Sequence, residues 1–197
     1  MNQLLKNRDR EILIHYERFW HTSAAIVEFT ARDMMTPKPI FVAEFPPNTK
    51  DEDWVYATIG TSRQALPNSA LHKTLPRVEL FLYSRQRSSQ ISEFLAGMAS
   101  YPFVNRTFLS MGDTIPGTNS IMSESTISDV LLTYPYFEPV EFSVIHHKDK
   151  THTFMVWTIP IYPSELQFIR DHSWDALEDL FREAETDTSD FGRKPVA

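Results

Sequence analysis

Three histidines near residue 150 are the first residues whose types and spacing suggest chemistry. His146 and His147 precede a short polar stretch containing Asp149, and His152 follows it. If this stretch forms a hairpin turn, His147 and His152 face one another across it, and two imidazoles with a carboxylate are ligands that Zn²⁺ accepts. Adjacent strand residues point to opposite faces, however, so only one of the two neighbouring histidines can join His152. We therefore predict a polar hairpin tip and no metal site.

The sequence GDTIPGTN is the nearest approach to a phosphate-binding loop. Gly112 and Gly117 have the spacing of a P-loop, which requires Lys and then Ser or Thr after the second glycine. Here Thr118 stands in place of the lysine, and Pro116 removes a backbone N–H donor. The chain has only 5 glycines, and no two of them have the spacing of a dinucleotide-binding fingerprint. We predict a structural loop here and expect no cofactor.

Hydrolytic catalysis has no recognisable residue set. Ser62 lies in the sequence GTSRQ, which lacks the second glycine of a G-x-S-x-G nucleophile turn. A glycosidase needs two carboxylates that flank a cleft, and Glu44, Glu79 and Asp113 are isolated candidates. The absence of cysteine excludes thiol catalysis, disulfides and iron–sulfur clusters. We predict a protein that is not an enzyme; an enzyme whose carboxylates meet from distant strands is an alternative.

Negative charge is concentrated near the end of the chain. The formal net charge is −7, and residues 163–197 hold nine acidic and four basic side chains. Such a region repels nucleic acid and anionic lipid and attracts a basic partner. No stretch approaches the roughly 18 apolar residues of a membrane span, and no signal-peptide core is visible. We expect a cytoplasmic protein that binds neither nucleic acid nor membrane.

The spacing of apolar residues predicts both helices and strands. Helices are expected over residues 4–20 and 89–99. Runs rich in β-branched and aromatic residues predict strands over 25–30, 40–45, 54–59, 78–83, 107–111, 128–132, 140–146 and 153–159. The last strand is apolar on both faces, which is typical of a central, covered strand. Because strands and helices do not alternate regularly, we predict an α+β fold: a mixed, largely antiparallel sheet flanked by N-terminal, central and C-terminal helices.

The C-terminal helix is predicted over residues 165–183. Pro160 is expected to end the preceding strand, and Ser164 with Gln167 has the form of a capping box. Ser173 is expected to divide the helix into two. The polar residues 186–197 are expected to form a flexible tail.

An aromatic and proline-rich stretch leaves two interpretations open. Tyr134, Tyr136 and Phe137 lie between Pro135 and Pro139. The stretch can pack as an irregular edge of the sheet. If it is exposed, its rigid aromatic side chains provide a binding surface instead, because such residues are common anchors of protein interfaces.

Several stretches resemble the suppressor-of-fused (SUFU) domain family. They are RVELFLY at residues 77–83, the glycine loop GDTIPG followed by SDVLL at 128–132, IPIYPSE at 159–165 and ALEDLF at 176–181. The resemblance extends over about residues 25–183 and depends on the order and spacing of these stretches. The sequence departs from the family pattern at Ser173, where a glycine is expected.

The resemblance implies a single non-enzymatic SUFU-like domain over residues 1–185, followed by the flexible polar tail over 186–197. A short, cysteine-free chain is similar to the bacterial members, many of which are regarded as immunity proteins against polymorphic toxins. The resemblance thus implies an immunity or antitoxin protein that occludes a basic toxin domain. An adaptor, or a protein that binds a transcription regulator without any toxin, is the alternative.

Two groups of residues are candidate contacts for such a partner. Asp113 and Thr114 lie in the glycine loop, where bonding to backbone amides is the structural alternative. The other group consists of acidic residues of the last predicted helix: Asp175, Glu178, Asp179 and Glu183. For these four, a solvated helix face is the alternative.

Overall fold

The computed structural model of the chain describes residues 5–32, 34, 36, 38–72, 75–117 and 119–197. The helices are α1 (Asn7–Trp20), α2 (Ser69–His72), α3 (Ser89–Val104), α4 (Pro163–Asp171) and α5 (Trp174–Glu183). The strands are β1 (Ala25–Phe29), β2 (Ile40–Phe45), β3 (Trp54–Ile59), β4 (Val78–Ser84), β5 (Thr114–Ile115), β6 (Asp129–Thr133), β7 (Val144–His146) and β8 (His152–Ile161). Residue 4 and Thr118, which enter the sequence predictions, lie outside the described residues.

Within these described ranges, all eight strands join one mixed sheet. Its order is β1-β2-β3-β4-β8-β6-β5, and β7 also pairs with β8. The first four strands form an antiparallel meander, β4 pairs with β8 in parallel, and the remaining pairs are antiparallel. The predicted α+β class and the mixed, largely antiparallel sheet are confirmed.

The two faces of the sheet carry separate hydrophobic cores. Helix α1 and the C-terminal helices cover one face, on which Tyr16 and Trp157 are buried. Helix α3 covers the other face, on which Leu95 and Val156 are buried. Val156 and Trp157 are neighbours on β8, and successive strand residues point to opposite faces. The prediction that this strand is central and covered on both sides is therefore confirmed.

Two predicted strands differ from the structure. Residues 107–110 have an irregular backbone, because a turn forms in which the Asp113 amide donates to the Ser110 carbonyl and the Ser110 amide donates to the Asp113 carboxylate. The short strand β5 begins only after this turn. In the predicted strand over 140–146, Val140–Phe142 is a 3₁₀ turn in which the Phe142 amide donates to the Pro139 carbonyl. Only Val144–His146 pairs with β8.

Two elements continue past the ends that we expected, and each contains a proline. Helix α3 extends past residue 99 to Val104 and contains Pro102. Strand β8 continues through Pro160 to Ile161, with Pro160 opposite Val130 of β6. Its parallel pairing with β4 extends only as far as Trp157. Pro160 therefore lies beyond that ladder, so the N–H group that proline lacks breaks no hydrogen bond to β4.

The C-terminal helices begin at caps of different kinds. Helix α4 begins at Pro163, a favoured residue at the first helical position, and the Glu165 carboxylate accepts from the Tyr162 amide at 2.9 Å. The predicted capping box of Ser164 with Gln167 is therefore wrong. Ser173 accepts a hydrogen bond from the Ala176 amide and is the N-cap of α5. The predicted division at Ser173 is confirmed.

Residues 186–197, which were expected to form a flexible tail, contact the domain closely. Phe191 is buried, and both terminal nitrogens of Arg193 donate to Glu165, at 2.6 and 2.8 Å. Glu165 is fully buried, and its carboxylate also accepts from the Val196 amide at 3.1 Å. A buried carboxylate requires such partners, so these contacts attach the segment to α4. The domain boundary at residue 185 stays a prediction.

We expect Arg193→Met to lower the free energy of unfolding by about 3–5 kcal/mol, because it leaves the buried Glu165 carboxylate without its cation. The control is Arg182→Met, which removes the partner of Asp179 in an exposed ion pair of α5. This control should change stability by less than about 1 kcal/mol. Urea denaturation measures both variants. Equal losses would contradict the attachment of the tail through Glu165.

Candidate functional site

A groove of about 930 Å³ opens on the sheet face that carries α1 and α5. Strands of the sheet, among them β4 and β8, form its floor, and four further regions line it: the end of α1, the turn between β2 and β3, the loop after β6, and α5 with the residues that follow it. The groove is therefore assembled from segments that are distant in the sequence.

Buried aromatic rings form the deepest part of the groove. Trp20, Phe45 and Trp157 are almost entirely buried, and the half-buried Tyr83 lines the groove beside them. The rings of Trp20 and Phe45 meet edge to face with centroids 4.7 Å apart, and those of Tyr83 and Trp157 do so at 5.8 Å. Such packing makes the base of the groove rigid and apolar.

Aromatic side chains of the loop after β6 reach solvent at the rim of the groove. Phe137 is 78% exposed and Tyr136 is 57% exposed. The Phe137 ring contacts Trp157 with centroids 5.1 Å apart, so the exposed ring continues the buried aromatic base. The stretch is therefore exposed, as one of the two interpretations requires, and its role as a binding surface stays a prediction. Adjoining exposed apolar side chains mark interaction sites on soluble proteins.

The rim of the groove is strongly acidic. The carboxylate residues that line it are Asp51, Glu52, Asp53, Glu138, Glu178, Glu185 and Asp187. Arg182 lines it as well, and its guanidinium bonds to Asp179 at 2.7 Å. Burial raises the pKa of Asp53, as expected for a carboxyl group that has lost part of its hydration. The combination of aromatic base and acidic rim suits a ligand with apolar and cationic groups.

Glu138 connects the acidic rim to the aromatic base. Its Oε1 accepts two hydrogen bonds of 2.6 Å, one from Trp20 Nε1 and one from the Tyr83 hydroxyl. Burial, followed by the charge of Glu138, raises the pKa of Tyr83, so this hydroxyl stays protonated and remains a donor. The two donors hold the carboxylate in one position.

Glu178 differs from the other acidic residues predicted on the last helix. It is half-buried and lines the groove, and its carboxylate accepts from the hydroxyls of Thr133 and Tyr136. Burial raises its pKa. Asp175, Asp179 and Glu183 are exposed on α5, beside the groove. Helix α5 therefore contributes both a groove residue and an exposed acidic face.

The glycine loop lies outside the groove but contacts the start of α5. Gly112 has φ +85°, and a Cβ built there would lie 2.4 Å from Nε1 of Trp174. Asp113 accepts from the Ser110 amide at 2.6 Å, and burial raises the pKa of its carboxyl group. Thr114 belongs to β5 and pairs with Leu131. The two predicted groups of partner contacts thus lie near each other, and the bonds of Asp113 shape the loop.

The histidine pair across the hairpin differs from the expected one. His146, not His147, lies opposite His152, and their Nδ1 atoms are 2.8 Å apart. His147 is buried on the other side, where its ring nitrogens bond to Glu11 and Thr153. Among the described residues, no group of three or more His, Cys, Asp or Glu side chains is arranged to hold a metal ion.

Comparisons with known proteins agree with this architecture. The family model for the Suppressor of fused protein (SUFU) matches residues 36–194. The chain belongs to the SUFU family. This confirms the resemblance found in the sequence, and the match extends into the segment after residue 185. Among curated proteins, no relative matches the chain.

Solved SUFU structures have the same fold. A SUFU homologue from Neisseria gonorrhoeae FA 1090 shares 25% sequence identity, with a TM-score of 0.75 over 96% of this chain and 97% of that one. The Sufu–Fu complex crystal structure gives a TM-score of 0.69 at 13% identity, covering 96% of this chain and 92% of that one. Drosophila Suppressor of Fused gives 0.58 at 14% identity, covering 81% of this chain and 43% of that one. The last two show likeness of fold alone.

Among the residues that line the groove of this SUFU domain, the sequence had indicated Tyr136, Phe137 and Glu178. It did not indicate Trp20, Tyr83, Glu138 and Trp157 as one site, because they come from four separate segments and no spacing rule connects them. In the part of the chain that the structure describes, no helix has the length and apolar character needed to cross a membrane.

We expect Gly112→Ala to destabilise the SUFU domain by about 1–3 kcal/mol, because the new methyl group meets the Trp174 ring at a positive φ. Gly97→Ala in α3 is the matched control, since a Cβ there meets no atom within 4 Å. This control should stabilise the helix by up to about 1 kcal/mol. Thermal and urea unfolding measure both changes, and a neutral Gly112→Ala would contradict close packing between loop and helix.

We expect Glu178→Gln to be more stable than the wild type at about pH 7, with the difference disappearing near pH 3. The raised pKa means that folded Glu178 holds its proton more tightly than unfolded Glu178. Its contribution to the free energy of unfolding therefore falls as the pH rises from the ordinary carboxyl pKa through the raised one. Urea denaturation at both pH values measures the difference. The charged and titratable neighbours Tyr136, Asp175 and Arg182 stay unchanged in the variant. A stability difference of equal size at both pH values would contradict a raised pKa of Glu178 as its cause.

Proposed function

We propose that this SUFU-family chain is a protein-binding module that covers a basic partner, and that the partner is a toxin domain. In this proposal the chain is a cytoplasmic immunity protein. The observation that carries the proposal is the acidic groove whose aromatic base continues into the exposed Phe137.

The exposed aromatic rim supports protein binding. Phe137 and Tyr136 present large rings to solvent beside a groove with an apolar base. Aromatic side chains lose little conformational entropy when they bind, and they are frequent hot spots of interfaces. A partner that buries these rings gains the hydrophobic free energy that they lack in the free chain.

The distribution of charge supports a basic partner. The acids of the groove and the exposed acids of α5 lie on adjoining surfaces, because α5 also contributes Glu178 and Arg182 to the lining of the groove. Their fields add, which attracts a basic surface and accelerates association. Many toxin domains are nucleases and hence basic, so an acidic inhibitor competes directly with their phosphate substrate.

The comparison with the Sufu–Fu complex supports the general mode of action. That structure is of a Sufu protein in complex with Fu, which is a protein–protein assembly. We extend binding of another protein to this chain on the basis of family membership and the exposed rim. An adaptor without a toxin partner would use the same groove, and the two functions differ only in what occupies it.

The carboxylates that sequence reasoning left open for an enzyme have structural partners. Glu79 is buried and accepts from Thr58, Ser62 and the Gly60 amide. Glu44 binds Arg87 and accepts from the Ser92 hydroxyl at 2.7 Å. Asp113 bonds within its own loop. These contacts support binding rather than catalysis as the proposed function.

The immunity proposal is tested by co-expression with a candidate toxin. An immunity gene is expected directly after its toxin gene, so the probe is the C-terminal domain of the protein that the preceding gene encodes. Co-expression should restore growth, and the purified pair should bind tightly at low salt. If neither growth rescue nor binding is observed, the immunity function is overturned. Binding of a non-toxic neighbour instead of a toxin would support the adaptor.

We expect the double variant Asp179→Lys and Glu183→Lys to slow association with that toxin domain about tenfold at low salt. Dissociation should change much less, because rim charges act mainly on the encounter. Glu178 is left intact because its hydrogen bonds within the domain would be lost. Stopped-flow fluorescence at two salt concentrations measures both rates.

The matched control carries the same change of net charge on the other side of the sheet. It is the double variant Glu93→Lys and Glu124→Lys, in which Glu93 is an exposed residue of α3. Its association rate should stay closer to that of the wild type. If both double variants slow association equally, net charge alone is responsible and the acidic face of α5 has no special role.

A further inference from the structure

Three of the buried carboxylates that the structure describes are each held by an arginine that also lies over an aromatic ring, whereas the buried Glu79 accepts hydrogen bonds from neutral donors alone. Asp9 binds Arg63, whose guanidinium lies 5.2 Å from the Phe41 ring centroid. Glu44 binds Arg87, which lies 5.3 Å from the centroid of Trp54. The planar guanidinium suits this role, because it can bond to a carboxylate at its edge while its face stacks on a ring.

A third example lies close to the groove. Glu165 binds Arg193, whose guanidinium is 5.1 Å from the centroids of both Tyr162 and Phe181. Phe181 also lines the groove. The same arrangement therefore occurs on α1, on β2 and at the start of α4.

Glu138 has the carboxylate and the aromatic rings of this arrangement without the arginine. Within the described residues, its hydrogen bonds come from two neutral donors, Trp20 Nε1 and the Tyr83 hydroxyl, and both end on Oε1. The rings of Phe137 and Trp157 lie on the same groove surface. Neutral donors orient a carboxylate but leave its negative charge in place.

We propose that Glu138, with the rings of Trp20, Tyr83, Phe137 and Trp157, forms a subsite that binds one arginine side chain of the partner protein. The proposal rests on the proposed function, because it assigns a chemistry to the ligand of the same groove. The partner's guanidinium bonds to the Glu138 carboxylate and stacks on an aromatic face, as the chain's own arginines do at Asp9, Glu44 and Glu165.

The surroundings of the subsite favour a cation from outside the chain. Arg182 of α5 lines the groove and is engaged with Asp179 at 2.7 Å, and Arg85 is engaged with Asp187 of the rim and with Asp190. Acidic groups surround the opening, and burial raises the pKa of two of them, Asp53 and Glu178. A bound guanidinium would supply a counter-charge to these partly desolvated carboxylates. The exposed Phe137 ring is free of packing on its outer face and can contact the incoming side chain.

Small amides test the subsite without any knowledge of the partner. N-acetyl-arginine amide is the probe, and N-acetyl-citrulline amide is its neutral isostere. The readout is the NMR resonance of the Trp20 indole N–H, because this group donates to Glu138. The chain has 4 tryptophans, so the resonance is assigned with Trp20→Phe.

The arginine amide should shift this resonance in a saturable way, with a Kd on the order of 1 mM as expected for a ligand of its size. A third probe, N-acetyl-lysine amide, should bind several-fold more weakly than the arginine amide, and the citrulline amide should produce no saturable shift. Equal binding of the arginine and citrulline amides would overturn the charge recognition. Equal binding of the arginine and lysine amides would overturn the preference for arginine.

Two variants locate the subsite. Glu138→Gln keeps an acceptor for Trp20 and Tyr83 and should weaken binding of the arginine amide at least tenfold. Glu93→Gln, on α3, is the matched control and should bind as the wild type does. Phe137→Ala alters an exposed ring and should weaken binding several-fold, which keeps the test decisive if Glu138→Gln does not fold. Wild-type binding by the Phe137 variant, or by a folded Glu138→Gln, would exclude this site.

The outcomes separate this inference from the proposed function. If the toxin domain binds and the arginine amide does not, the subsite is wrong and the immunity function stands. If the arginine amide binds at Glu138 and no toxin domain does, the subsite stands and the immunity function fails.

Discussion

The pairing of strand β8 joins the two halves of this molecule. One edge of β8 pairs in parallel with β4, which belongs to the N-terminal meander, and the other edge pairs with β6 and β7. Its side chains alternate between the two cores, with Val156 under α3 and Trp157 under the groove. Because the base of the groove combines Trp157 of this strand with Phe45 of β2 and Tyr83 of β4, its geometry depends on the register of the whole sheet.

Besides the pairing of β8, the need to compensate buried carboxylates constrains the structure. A carboxylate removed from water requires a compensating cation or several donors. Here Asp9 and Glu165 each have a guanidinium, whereas Glu79 has donors alone. The ion pair at Glu165 holds the end of the chain on α4, and Arg85 binds Asp187 and Asp190, so that residues 185–189 complete one wall of the groove. The groove therefore depends on an interaction outside it.

The elements that were predicted well from the sequence are those whose causes are local. Strands over 40–45 and 54–59 match the structure to the residue, because β-branched and aromatic runs are bounded there by turn residues. Ser173 caps α5 through a bond that reaches only three residues ahead. Predictions failed where distant pairing decides. Pro160 remains in β8 because β4 pairs with that strand only as far as Trp157.

The sequence by itself determined the α+β class, the family and the acidic character of the chain's end. The class and the acidic end follow from periodicity and composition, and the family follows from the order and spacing of stretches that resemble SUFU domains over about residues 25–183. Tertiary structure alone decided that His146 rather than His147 faces His152, that Glu178 lines the groove, and that Trp20 and Tyr83 converge on Glu138. Strand register and helix packing fix these pairs, and both are set by the burial of apolar surface across the whole domain.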